Sequence, residues 1–172
     1  MAVSKLFPAS AVEEAMHAGQ TCFGENYVQE GVEKIQKLDK LRPWLEWHFI
    51  GPLQSNKTKE VAHNFDWVES IDRLKIAERL SAQRLELPEI LPLQVCVQVN
   101  VSNEESKSGV LMDEAAALCD AVAQLPGLTL RGLMAIPAPS TDPVEQRAAC
   151  AKMKALFAQI QQARLDDRGY AY

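Results

Sequence analysis

No stretch of this 172-residue chain approaches the ~20 consecutive apolar residues that a membrane-spanning helix needs. The N-terminus lacks the basic and apolar regions of a secretory signal. Basic runs are also missing, and the formal net charge is −5, which argues against a protein that grips a nucleic-acid backbone. Cysteine is sparse: Cys22, Cys96, Cys119 and Cys150 are widely spaced and never form a Cys-x-x-Cys pair. Disulfide-framework and zinc readings therefore fail on spacing. Four ordinary thiols fit a reducing cytoplasm, which is the expected location. Neither low-complexity sequence nor a linker divides the chain, and 47% hydrophobic residues suffice for one domain with its own core.

What the chain does have is a rhythm. Six short apolar runs, "MAVSK", "TCFGENY", "LEWHFIG", "FDWVESID", "LPLQVCVQVNV" and "LTLRGLMAI", read as strands. Each is followed by a longer helical pattern, the last running from Pro143 to about Leu165. Pro8 suits the start of the first helix and Gly19 its end, while Asp72 and Asp142 are candidate N-caps. Strict alternation of this kind predicts an α/β fold with a parallel sheet.

The fifth run narrows the architecture. Leu93, Val95, Val97, Val99 and Val101 share one face, and Gln94, Cys96, Gln98 and Asn100 share the other. A strand covered by helices on both sides should be apolar on both. One aliphatic and one polar face suits a (β/α) barrel of the TIM type, with an open Rossmann-like sheet second. The first strand–helix junction, "AVSKLFPAS", has no Gly-rich phosphate fingerprint, which weakens the second choice further.

Barrel sites lie at the C-terminal ends of the strands. Those ends supply Lys5, Glu25 with Asn26, His48, Ser70 with Asp72, Asn100 and Met134, which would ring one mouth. Each residue also has a plain reading: Lys5 as a surface lysine, His48 as a hydrogen-bonded core histidine, "FGENY" as a turn entering a helix. A lysine partly desolvated in such a mouth loses its proton more readily and can condense with an aldehyde. The residues alone leave open a class I aldolase-like carbonyl enzyme or a pyridoxal phosphate protein.

Taken together, "AVSK", "AGQTCFGENYVQE", "WHFIGPLQSNK", "VESIDRLKIAERL", "VQVNVSNEESKSG" and "LRGLMAIPAP" resemble the pyridoxal phosphate homeostasis protein family, itself similar to the barrel domain of alanine racemase and other fold-type III enzymes. The resemblance runs in order across nearly the whole chain. It implies that pyridoxal 5′-phosphate is the cofactor and that Lys5 holds it as a Schiff base. Asn26 and His48 would line the pyridine ring, and Met134 would pack near it. Lys107, in "ESKSG", matches a second family lysine near the mouth to which no role is given. The family is known for keeping vitamin B6 in balance without an established catalytic activity. None of the tyrosines, Tyr27, Tyr170 and Tyr172, is obviously placed as an acid–base partner across the cofactor.

The family pattern continues past this chain's "DDRGYAY" into a Ser-Gly-Met motif and an Arg-Ile-Gly-Thr strand that grips the phosphate. It also begins with a helix that precedes "MAVSK". Residues 1–172 are thus expected to form a single cofactor-binding domain with about six of eight βα units and two open sheet edges. Alternatives in function are a racemase or decarboxylase dependent on the same cofactor, and a truncated piece acting only through protein contacts. The expected partners are the cofactor and, at the edges, another copy or an enzyme that receives the cofactor; nucleic acid and membrane are not expected.

Overall fold

The fold was obtained as a computed structural model that describes residues 1–104 and 107–168. Six strands alternate with six α-helices: β1 (Ala2–Val3), α1 (Ala9–His17), β2 (Cys22–Glu25), α2 (Val28–Lys37), β3 (Glu46–Phe49), α3 (Thr58–Asn64), β4 (Trp67–Ile71), α4 (Leu74–Arg84), β5 (Leu93–Gln98), α5 (Ala115–Ala123), β6 (Leu128–Met134) and α6 (Pro143–Arg168). All neighbouring strands run parallel, in the order β1-β2-β3-β4-β5-β6. That sequential order excludes the doubly wound alternative, in which the strand order reverses partway across the sheet. Right-handed crossovers taken always in one direction keep the helices on one side, as in a barrel. The sheet is an incomplete barrel: β1 and β6 are its two ends and do not pair with each other among the described residues.

Local signals explain most boundaries. Helix α1 ends in a Schellman turn, with Gly19 at φ 99°, its N–H bonded to Met16 O and that of Gln20 to Ala15 O. At the start of α6 the Asp142 carboxylate accepts the Val144 N–H at 2.8 Å, and Pro143 fills the first helical position, where no donor is needed. Asp72 does not cap α4 as its sequence position suggests. Arg73 occupies the capping position without a side-chain bond, and the Asp72 carboxylate is taken up by the Arg73 guanidinium at 2.7 Å. A 3₁₀ helix over Asp39–Trp44, absent from the sequence reading, links α2 to β3.

The helix-facing side of the sheet is the core. Phe23, Trp47, Phe49, Val68, Leu93, Val95 and Val97 are buried there with Val12, Ile35, Val61, Phe65, Ile76, Leu80, Leu118 and Val122 from the helices. Phe49 and Phe65 meet edge to face at 5.5 Å. Burial of each large side chain contributes about 1.5–3 kcal/mol. The opposite side, which would be the barrel lumen, carries Cys22, Gly24, Glu46, His48, Trp67, Gln94 and Cys96. Between β5 and β6 the pairing skips one residue: Val95 faces Leu130 and Cys96 faces Gly132. Arg131 is therefore the extra residue of a bulge, and its guanidinium lies 5.9 Å from the centre of the Trp67 ring.

Gly51, just past β3, fixes how closely β2 and β3 approach at their C-terminal ends. A Cβ there would fall inside van der Waals contact of the Asn26 backbone carbonyl, which cannot swing away as a side chain can. Gly51→Ala is expected to destabilise the fold by about 2 kcal/mol or more, the range for forced backbone displacement. Urea unfolding measures this; an unchanged midpoint would show that the β2–β3 junction is not tightly packed.

Candidate functional site

Lys5 lies two residues beyond β1, in an exposed turn, and the residues on either side of it are tightly held. Ser4 is buried and donates its hydroxyl to Glu25 Oε1 at 2.6 Å. Lys34, buried on α2, donates from Nζ to Ser4 O at 2.6 Å, to Glu25 Oε1 at 2.7 Å and to Glu30 Oε1 at 2.7 Å. The same Glu30 oxygen accepts the Leu6 N–H at 2.6 Å. Leu6 sits at φ 67°, a left-handed conformation that is strained for a residue with a Cβ. The hydrogen bond from Lys34 holds the Glu30 carboxyl below the usual range; burial opposes this, and the Leu6 N–H and the Lys34 charge add to it.

Glu25 is therefore not part of the mouth, where the sequence reading set it beside Asn26. It is fully buried against α2, because alternation along β2 turns it to the helix side while Cys22 and Gly24 face the lumen. Its Oε2 finds no hydrogen-bond partner.

His48, one residue before the end of β3, is buried with both ring nitrogens engaged. Nδ1 lies 2.7 Å from Glu69 Oε1 and Nε2 lies 3.0 Å from Glu46 Oε1. The ring stacks on Trp67, with centroids 5.1 Å apart and planes 12° apart. Burial alone pushes the imidazole pKa down, but the hydrogen bonds and charges of Glu69 and Glu46 outweigh it and raise the pKa above its ordinary 6.5. Cys22 Sγ also donates to Glu46 Oε1, at 3.2 Å. Donor atoms of Cys22, Glu46 and His48 all lie within 4.8 Å of one another, close enough for a shared metal ion. Their mutual hydrogen bonds account for the grouping without one. Nearby, burial and the Glu69 charge push the Cys96 thiol up to about 12, so it stays protonated and inert.

Asn26 follows β2 directly; its side-chain oxygen is buried without a hydrogen-bond partner. Met134, half-buried, is the last residue of β6. Lys5, Asn26, His48 and Met134 thus all lie within two residues of the C-terminal end of their strands. Asn100 has a different task from the one its strand-end position suggested. Its amide donates to Glu104 O at 2.7 Å and accepts from Glu104 N at 3.3 Å, folding the following loop back on β5. Lys107 rides on that loop, half-buried; Glu105 and Ser106 of the "ESKSG" motif, like Tyr170 and Tyr172, lie outside the described residues. At the opposite end of the strands a cleft of about 790 Å³ opens between Trp44, Glu46, Trp67, Gln94 and Arg131.

The family model of the alanine racemase N-terminal domain matches residues 1–170, and the chain belongs to that family. It is 56% identical over 162 residues to the pyridoxal phosphate homeostasis protein of Haemophilus influenzae, an alignment covering 94% of this chain and 68% of that one. Against the protein of the same name from Escherichia coli K12 the identity is 57% over 160 residues, covering 92% of this chain and 67% of the relative. Among solved structures it is similar to PipY of Synechococcus elongatus with PLP bound, at 38% identity and a TM-score of 0.84, covering 95% of this chain and 74% of PipY.

The raised His48 pKa has a consequence for stability. The folded state holds that proton more tightly than the unfolded chain, so the stabilisation is fully present below about pH 6.5 and is lost as pH rises through the higher folded value. Urea midpoints are expected to fall across that window, and Glu69→Gln should flatten the fall. Parallel pH profiles for the two proteins would contradict the Glu69–His48 pairing.

Proposed function

We propose that this chain binds pyridoxal 5′-phosphate through Lys5 and serves intracellular vitamin B6 homeostasis rather than turnover of a substrate. The observation that carries the reading is the pairing of an exposed lysine side chain with a rigidly held backbone at the end of the first strand. Support comes also from relatives above 50% identity that are named for this homeostasis, and from PipY, which was solved with PLP.

The residues present fit such a cofactor. A buried Asn26 oxygen without a partner is a polar group that a ligand's hydroxyl would satisfy. The imidazole of His48 has its nitrogens and one ring face committed, so its part is to present a fixed wall beside the ligand. Met134 supplies an apolar contact from β6. When bound, the cofactor would supply an aldehyde, and Lys5 is the residue whose amine would hold it covalently. Residues 1–172 act in this reading as one cofactor-binding domain. A reducing cytoplasmic setting suits its free thiols Cys22, Cys96 and Cys150. No helix among the described residues is long and apolar enough to cross a membrane.

The test is to mix the purified chain with limiting pyridoxal 5′-phosphate, reduce with borohydride and map the modified lysine by mass spectrometry. A single adduct on Lys5, abolished by Lys5→Ala, is the expected result. Label scattered over accessible amines such as Lys57 and Lys107 would reduce the reaction to indiscriminate amine chemistry and overturn the reading.

A further inference from the structure

We infer that Glu30 and Lys34, with Glu25 behind them, are positioning residues: they clamp the peptide groups on both sides of Lys5 so that its amine is delivered to one place at the strand ends. The inference rests on the cofactor reading above for its purpose and on geometry for its substance.

The peptide group before Lys5 is held by its carbonyl, since Ser4 O accepts from Lys34 Nζ. The peptide group after Lys5 is held by its N–H, since Leu6 N donates to Glu30 Oε1. Both holders belong to α2, one turn apart, and are joined to each other at 2.7 Å. The helix thus grips residue 5 by the backbone and leaves its side chain exposed. Leu6 adopts its left-handed conformation within this grip; a free chain would leave that conformation.

A purely structural account does not explain why the grip is ionic. One lysine serves two carboxylates, Glu25 is fully buried, and one of its oxygens has no partner. A buried ion pair is weak evidence for stability, because apolar residues of similar volume hold a fold equally well. What charged groups supply and hydrocarbon does not is direction: two short hydrogen bonds aimed at two particular backbone atoms. Flexible amines lose much of their advantage when their anchor moves by even an ångström.

The experiment compares the whole wild-type chain with Glu30→Ala, Glu30→Gln and Lys34→Met. Two readouts are taken: exchange of the Leu6 amide hydrogen by NMR, and yield of the borohydride-trapped adduct on Lys5 at limiting pyridoxal 5′-phosphate. The Glu30 side chain is 27% exposed, so its truncation leaves the core intact. Glu30→Ala and Lys34→Met are expected to lose Leu6 protection and to lower the Lys5 adduct about tenfold, with label spreading to other lysines. Glu30→Gln, whose amide oxygen still accepts the Leu6 N–H, should keep most of both. Unchanged exchange and unchanged adduct in Glu30→Ala would overturn the inference, whatever Lys34→Met does, because that variant also strips the buried Glu25 of its cation. If wild type forms no Lys5 adduct while Leu6 protection still depends on Glu30, the cofactor reading falls and the clamp stands.

Discussion

Side chains along a strand point alternately to two sides, and in this molecule that two-residue period separates hydrocarbon from charge. Phe23, Trp47, Phe49, Val95 and Val97 go to the helices and are lost from water. Their neighbours in the chain, Cys22, Glu46, His48, Gln94 and Cys96, have to go the other way. The His48 ring, 10% exposed, has little access to water, so its nitrogens are satisfied by neighbouring carboxylates. The result is the chain of contacts from Cys22 through Glu46 and His48 to Glu69, with Trp67 stacked below the imidazole and Arg131 over the Trp67 ring. Within that wall Cys22, Glu46, His48 and Glu69 are each engaged with another member, while Gln94 turns to the Pro92 carbonyl.

Glu25 is where the pattern is broken, and the break is what organises the end of β1. A carboxylate on the helix side of β2 has no business in a hydrocarbon layer unless a cation reaches it. Lys34 does so, from one face of α2. Once that cation is buried it needs further acceptors, and it takes Glu30 and the Ser4 carbonyl. Three elements, β1, β2 and α2, are thereby joined at one point, next to the lysine whose amine is left outside. The ionic cluster and the exposed Lys5 are two parts of one arrangement.

Much of this architecture was legible in the sequence. Each of the six strands and six α-helices corresponds to a run or a periodic segment, because hydrophobic period is a local property. Gly19 and Asp142 mark their helix ends as their residue types suggest. The mixed faces of β5 pointed to a barrel-like sheet, and the sequential strand order agrees. Asp72 misled because a neighbouring arginine competed for its carboxylate. Asn100 was rightly placed at a strand end but serves its own loop. Glu25 was assigned to the wrong side since a strand-end position does not state its phase. Glu30 and Lys34 were readable only as an ordinary pair one helical turn apart. Their partners lie 24 and 30 residues away, and no local signal carries that distance.

The central claim is that the end of β1 presents one lysine to one ligand. A crystal structure of the chain grown with pyridoxal 5′-phosphate addresses it without chemical trapping. Continuous density from Lys5 Nζ into the ligand, with Asn26 and His48 beside the ring and the Ser4, Glu30 and Lys34 contacts unchanged, is the predicted result. Ligand density away from Lys5, for instance in the cleft lined by Trp44 and Arg131 at the opposite end of the strands, would contradict the account.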